Sequence, residues 1–542
     1  MKGEKIMKMK KLVATMLSMI MAGCLVSFAG CGVDGGEGKD GNGGGSDAET
    51  LEIFLTDAGY GTDWCYEMKE LFAQQDWVKE KYPGLNIKIS TSDDQTLAQS
   101  KLSAGEKSNN YDLLFGIGMS EYYGKNGALL DLTECVYNAE VPGESVLFKD
   151  KMEESFLTSF GFMENGSSDV AYYATPWVGG MEGLLYNEDL FVANDLKVPN
   201  TTDELVDVCA AYKAKGNENY SFIQSYDANY FDYLFFVWWA QYEGVEGYEN
   251  YFNGIDNETY STRIFEQKGR EYSLEVYEKL LDYDKGYVNP LSFTQKFVIS
   301  QTSFVNGGAL MHANGDWFSS EMLDVMQSKG DTAPKIKMMR TPIISRLGEK
   351  LGITDKELSD IVTYVDAIGA GQEAQVPEFT SSKGYATEKV VDAVKEARTV
   401  VYTIGNAHSA VIPNYAAAKD VAVDFLRFMA TDKALDAFAK KTIGATLPFK
   451  HAIDKEIYDG LALAQQTRID YFQSANGIHT LVDPQSFPLV RYGGLTPFLN
   501  ERFYQQFSSQ GNTKTPADYM QEMRESWSND KFNNALKTAG LQ

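Results

Sequence analysis

Basic charge is scarce in this sequence. Its 542 residues hold 49 lysines and arginines against 76 aspartates and glutamates, a formal net charge of −27. Binding to nucleic acid needs a basic footprint, so that class of function is set aside. Cysteine is scarce as well. Of five, Cys24 and Cys31 stand near the N terminus, and Cys65, Cys135 and Cys209 are far apart with no CxxC pair. That spacing argues against a disulfide framework or a thiolate metal cluster. Three buried thiols are expected in the body, with one disulfide among them as the alternative. The four histidines, His312, His408, His451 and His479, are scattered and suggest neither a metal site nor a catalytic base. His312 falls in an apolar strand and reads as a core residue. No cofactor is expected, and no G-x-S-x-G, H-E-x-x-H or phosphate-loop motif occurs in the body.

Long apolar runs are absent apart from one. Lys2, Lys5, Lys8, Lys10 and Lys11 against Glu4 precede an uncharged stretch, Leu12 to Gly30. A basic start, an apolar middle and small residues before a cut site make a secretory signal. Phe28-Ala29-Gly30-Cys31 resembles the bacterial lipobox, in which cleavage before the cysteine leaves it lipid-modified. Cys24 is a weaker second candidate, and an uncleaved membrane helix is the alternative. Either arrangement leaves the body outside the cytoplasm. Residues 32–46 contain eight glycines, have nothing to bury and read as a flexible tether with a reach of roughly 20 Å. Gly36, Gly38 and Gly41 match a dinucleotide fingerprint, but no strand precedes them. With the signal removed the net charge falls to near −31, so attachment to anionic lipid must come from acyl chains.

The remaining length permits two or three packed domains. Leu51 to Thr56 reads as a strand. Trp64, Met68, Leu71 and Phe72 share a helix face, and that helix is expected to run to Pro83-Gly84. Leu85 to Ser90 alternates as a half-buried strand, a helix covers Thr96 to Ala104, and Tyr111 to Gly118 reads as a strand buried on both faces. This order predicts an α/β domain with a mainly parallel sheet. A helix begins near Thr201, with Thr201 and Glu204 placed for a capping box. Trp238 and Trp239 lie in a stretch that reads as a buried helix, with one face open to a cleft as the alternative. An apolar strand leads to Trp317, Val421, Phe425 and Phe428 mark another helix, and Thr515-Pro516 starts a terminal one.

Five motifs in order resemble family 1 extracellular solute-binding proteins, the maltose-binding-protein-like receptors of ABC sugar importers. They are Phe115 to Gly118 followed by Gly127 to Thr133, Pro176-Trp177 through Leu184 to Asn187, Gly308 to Met311, Asn314 to Trp317, and Ala422 to Lys440 with its Asp-Phe-Leu-x-Phe pattern. The resemblance implies a two-lobed α/β fold of the periplasmic-binding-protein type II class, with hinge-connected lobes and ligand bound between them. Residues 50–175 and 409–449 would form one lobe, and 176–408 and 450–542 the other, behind a signal at 1–30 and a tether at 31–49. A charged helical section at 341–400 has no match in the family pattern. A lipid-anchored monomer at the cell surface, a mono- or oligosaccharide ligand and a membrane permease as partner are what the resemblance implies.

A sugar presents hydroxyl rims and apolar faces, so its site needs flat aromatics together with carboxylates, amides or arginine. The candidates are Trp317 and Asp316 at a strand end, Trp177 and Glu182 at the crossover beside Gly179-Gly180, and Tyr60 and Trp64 after the first strand. Asp94 after the second strand and Arg491 in a Tyr-Gly-Gly loop complete the set. Six have a structural alternative: core packing for Trp64 and Trp317, hinge packing for Trp177, a turn for Asp316, a helix cap for Asp94 and a salt bridge for Arg491. Two rivals stand beside the sugar receptor. A surface glycosidase would need a carboxylate pair about 5–9 Å apart, which adjacent acids in so acidic a chain do not single out. A peptide receptor would want fixed charges for the peptide termini.

Overall fold

Two sheets carry the architecture, and each grows from apolar runs visible in the sequence. The computed structural model describes residues 49–94, 96–118, 120–163, 169–225, 230–403, 408–481, 483–497 and 503–542. The expected signal, Cys24, Cys31 and the tether lie outside them. In chain order the strands that position the site are β1 (Thr50–Thr56), β2 (Asn86–Ser92), β3 (Leu113–Phe115), β4 (Thr175–Pro176), β5 (Glu182–Asn187), β6 (Tyr220–Ile223), β7 (Ala309–Gly315), β8 (Ile336–Met339), β9 (Val400–Tyr402), β10 (Ser409–Val411) and β11 (His479–Leu481).

The first sheet runs β2-β1-β3-β10-β4. β1 pairs in parallel with β2 and β3, whereas β10 pairs antiparallel with β3 and β4. The second runs β8-β5-β7-β6, with β7 antiparallel to β5 and parallel to β6. Every residue of β5 and β7 is buried, as expected of central strands covered on both faces. The chain passes from β4 to β5 through 177–181, and it re-enters the first sheet at β10; β9 pairs with β11, and Thr403 bridges to Met181.

Helices cover both sheets. Those used below are α1 (Asp63–Ala73), α2 (Asp232–Glu243), α3 (Asp355–Gly369), α4 (Thr387–Thr399), α5 (Lys419–Met429), α6 (Asp432–Lys441) and α7 (Leu463–Phe472). α1 buries Trp64, Cys65, Met68 and Phe72, the spacing of one helix face. Its expected extent is corrected: it stops at Ala73, and a separate helix, Asp76–Lys81, fills the interval to Pro83. β3 is shorter than its apolar run, because Gly116 takes φ +86° and turns the chain out of the sheet. Asp112 explains the other end, accepting from the backbone N–H of Glu52, Ala417 and Ala418 at 2.8–3.0 Å.

The expected capping box at Thr201 is only half formed. Thr201 Oγ1 accepts from Glu204 N, but the Glu204 carboxylate accepts from Asn200 N at 2.7 Å. Complete boxes occur at Thr354/Glu357, which starts α3, and at Thr515/Asp518, where Pro516 opens the helix Pro516–Glu525. A second helix, Asn529–Thr538, follows it. The 341–400 section contains α3 and α4, packed on each other and, through α4, on α2. Cys65, Cys135 and Cys209 are free thiols, and Cys135 is half-buried rather than buried.

Candidate ligand cleft

Strand ends from both sheets converge on one cavity of about 330 Å³. β1 delivers Thr56 and the loop carrying Gly59 and Tyr60, β3 delivers Gly116 and Gly118, and β7 delivers Trp317. The carboxyl ends of strands are where open α/β sheets hold ligands. Trp177 and His408 come from the two crossings, and Tyr230, Tyr233, Phe297 and Glu321 close the wall on the second-sheet side. Two glycines make this approach possible. A Cβ on Gly315 would lie 2.3 Å from the Trp317 ring, and Gly59, at φ +62°, sits with its Cβ position 3.6 Å from Trp317 Cβ.

The rings form a packed series. Trp177 stacks on Trp64 at 4.7 Å and 15°, and Tyr60 meets Trp177 edge-on at 5.7 Å and 85°. Trp64 is backed by Phe115 and by Phe438 of α6, each at 5.2 Å. Trp317 donates to the Tyr230 hydroxyl at 3.5 Å and meets Tyr233 at 78°. Trp177 and Trp317 are 9 % and 7 % exposed while Trp64 is fully buried, so the first two offer ring surface to the cavity and Trp64 supports them from behind.

Asp316 lies beneath this wall, buried, with both carboxylate oxygens used. Oδ1 accepts from the Tyr60 hydroxyl, and Oδ2 accepts from Thr446 N at 2.6 Å and from the Thr446 hydroxyl. Its own N–H donates to Met181 O at 2.9 Å, and its carbonyl accepts from Gln465 of α7. Arg468 of α7, also buried, donates to Thr446 Oγ1 at 2.8 Å and to Gly444 O. One acid thereby joins the β1 loop, the first crossing, the segment after α6 and α7. Burial, then the Asp316 charge, pushes the Tyr60 hydroxyl well above its ordinary range. Burial pulls Arg468 down, and Asp316 opposes that. His408 is pulled down to about 4 by burial despite Asp316, so its imidazole is neutral at pH 7. Glu182 has both oxygens buried without a hydrogen-bond partner, and burial, with Asp316, Asp483 and Asp232 nearby, pushes its carboxyl well above the usual range.

An aromatic cleft at the strand ends of two sheets joined by crossing segments is the geometry of a two-lobed binding protein. Residues 58–436 match the family model for bacterial extracellular solute-binding proteins. The chain belongs to that family. Solved structures similar to this solute-binding protein include a chitin oligosaccharide binding protein (18 % identity, 88 % of this chain and 98 % of that one covered, TM-score 0.55). The GacH receptor of Streptomyces glaucescens, solved unliganded and with acarbose, is similar as well (12 %, 91 % and 99 %, TM-score 0.54). So is an ABC transporter solute-binding protein from Agrobacterium radiobacter K84 with ribitol (16 %, 92 % and 99 %, TM-score 0.51). At these identities they show the fold, the two-lobed periplasmic-binding-protein architecture. No curated protein matches by sequence. The family is one of extracellular binding proteins, and among the described residues no helix is long and apolar enough to cross a membrane.

The eight expected site residues of this solute-binding protein divide by position. Tyr60, Trp177 and Trp317 line the cavity. Trp64, Asp316 and Glu182 are buried behind the wall. Asp94 lies outside it, its Oδ1 accepting from Thr96 N at 2.9 Å and Thr96 Oγ1 at 2.7 Å, as a turn or cap acid does. Those bonds hold its carboxyl below the usual range. Arg491 ends the short helix Pro488–Arg491, half-buried and away from the cavity wall. Sequence patterns did not single out Tyr230, Tyr233, Phe297, Glu321 or His408. Tyr233 belongs to the aromatic helix α2, whose uniform hydrophobicity left no residue of it marked for the cleft. His408 immediately precedes the apolar strand β10, and that placement was its one signal. His312 is fully buried, and burial pulls it down to about 3.

Proposed function

We propose that the protein is a cell-surface receptor that binds a carbohydrate between its lobes and hands it to the permease of an ABC transporter. The observation that carries this reading is the cavity itself: six aromatic side chains, three of them on the β1 loop, the first crossing and the end of β7, face one space of about 330 Å³. Flat rings that can cover the apolar faces of a pyranose, with few polar groups among them, are the composition a saccharide site requires. Saccharides and a polyol in similar structures support the same class. Tyr60, Trp177 and Trp317 would stack on the ligand, with Trp64 and Asp316 holding them. The lobes are proposed as 50–175 with 409–449, and 176–408 with 450–542, because the two sheets divide along those segments. Cys31 would carry the lipid, and the glycine-rich tether would let the body reach the permease. Closure over ligand would follow from contacts made to both lobes at once. Transport would draw on ATP hydrolysed by a separate cytoplasmic subunit.

A thermal-shift and calorimetric screen of mono- and oligosaccharides tests the ligand class. A saccharide present at 100 times its Kd should stabilise the fold by about 2.7 kcal/mol. Stabilisation by peptides and by no saccharide would overturn the proposal. Growth with radiolabelled palmitate, expected to label the wild-type chain and not Cys31→Ala, checks the anchor.

A further inference from the structure

We infer that Gly118 sets how deeply a ligand seats in this cleft, and so the size of saccharide it accepts. This rests on the carbohydrate reading and narrows it. The glycines of this chain otherwise have a local reason to lack a side chain. Some take a positive φ, which L residues rarely adopt, and at the rest an added Cβ would come within 4 Å of a neighbouring atom. Among the described glycines Gly118 alone has neither reason. Its φ lies outside the left-handed region, and a Cβ built on it would meet no described atom within 4 Å. Alanine would fit there without strain, and replacing glycine by alanine at such a position removes conformational entropy from the unfolded chain. Folding by itself therefore favours a side chain at residue 118.

The cavity supplies the reason for its absence. Gly118 is half-buried and lines the cavity just beyond the end of β3, and Ala58, Gly59 and Gly116 line it from the same sheet. This side is a floor of backbone and small groups, whereas Tyr233, Phe297 and Trp317 present rings from the other side. A sugar ring stacked on those aromatics turns its second face to the floor, close enough for its hydroxyls to meet peptide groups. Gly59 and Gly116 hold left-handed turns at φ +62° and +86°, so the backbone alone accounts for them, and the Cβ position of Gly116 lies 3.3 Å from Thr56 Oγ1. Gly118 is thus the point at which a side chain would raise the floor without disturbing the chain. Each carbon added there takes space from the ligand, and a larger ligand loses more than a small one.

The test is a series in the full chain: Gly118→Ala, Gly118→Val and Gly118→Leu, with Gly460→Ala on an exposed turn after the helix Lys455–Asp459 as the control. Without ligand, Gly118→Ala is expected to melt at or above the wild-type temperature; a fall of more than about 2 °C would give Gly118 a structural reason and overturn the inference. Acrylamide quenching of tryptophan fluorescence reads the cavity directly. Gly118→Leu should shield Trp177 and Trp317, and unchanged quenching would overturn the placement. Calorimetry then uses raffinose, acarbose and chitotriose as larger saccharides, ribitol as a small polyol and trialanine as a peptide. For a larger saccharide that binds the wild type, Gly118→Ala is expected to weaken affinity about tenfold, as overpacking by one carbon does, and valine and leucine to weaken it further. Ribitol should lose less, and Gly460→Ala should bind as wild type. Gly118→Ala decides if the larger variants do not fold. Equal affinity across the Gly118 series, or a loss unrelated to ligand size, would overturn this inference and leave the carbohydrate reading intact. Binding of trialanine alone would overturn the carbohydrate reading, and the same series read on that peptide would still decide the role of Gly118.

Discussion

Trp64 and Trp317 show how differently two tryptophans of one site are used. Trp64 fills the space between Trp177, Phe115 and Phe438 and is fully buried. Trp64→Ala should cost about 3–5 kcal/mol of stability, read from denaturant unfolding, as deletion of a buried aromatic does. Trp317→Phe keeps an aromatic face but loses the donor to Tyr230 and part of the ring area. Its effect is expected in affinity, about 3- to 30-fold by calorimetry, corresponding to about 0.7–2 kcal/mol, with the melting temperature nearly unmoved. Equal loss of stability in both variants would make Trp317 a core residue and not a ligand contact. Glu182 supplies a pH prediction. Its folded carboxyl titrates well above the ordinary value, so above the unfolded pKa the unfolded chain binds fewer protons than the native one, and its contribution to stability falls as pH rises. Glu182→Gln should therefore stabilise the protein at pH 7 relative to wild type, with the difference vanishing below the ordinary carboxylate pKa. A constant difference across that range would show that the buried acid does not titrate as its surroundings require.

At the scale of elements, the pair α3 and α4 is held by one salt bridge with two contacts. Arg398 Nε and Nη2 donate to the two Asp366 oxygens at 3.0 and 2.7 Å, and Arg398 also reaches Thr341 O at 2.9 Å. Arg398 is 6 % exposed and Asp366 33 %. Asp366→Ala would strand a buried guanidinium, at a cost of about 1–3 kcal/mol, less than for a fully buried pair because water reaches the acid. Hydrogen exchange should show the loss concentrated in α3 and α4; exchange rising equally throughout would make the clamp part of the global core. The helical character of this section was legible from its charge and periodicity, and so were α1, β1 and β2. Their boundaries were less so. Asp112 and Gly116 clip β3, and the split of the expected long helix at Ala73 follows no strong breaker in the sequence.

For the whole molecule, Asp316 is the joint. It binds Tyr60 from the β1 loop, Thr446 after α6 and, through its backbone, Met181 of the first crossing. Asp316→Ala should loosen the relation between the two sheets. Small-angle scattering without ligand is expected to give a larger radius of gyration than wild type, and ligand affinity should fall about tenfold as closure becomes harder to reach. An unchanged radius would confine Asp316 to orienting Tyr60. That the acid of an Asn-Gly-Asp-Trp segment would matter could be seen in the sequence, since it ends an apolar strand. That its oxygens are spent on Tyr60 and Thr446 could not, because those partners are 256 and 130 residues away along the chain.

The sequence by itself determined the class of the fold, through apolar runs and helix faces that local geometry must bury, and it carried the motifs by which the family is known. It also marked Tyr60, Trp177 and Trp317 as candidates, because each is an aromatic set near glycines where a strand or a crossing ends. Only the tertiary structure decided which of the expected residues share a cavity, which lie behind its wall and which stand elsewhere. It alone brought Tyr230, Tyr233, Phe297, Glu321 and His408 to the same space. Burial and pairing between distant segments are properties of the packed chain, and no local pattern of residues encodes them.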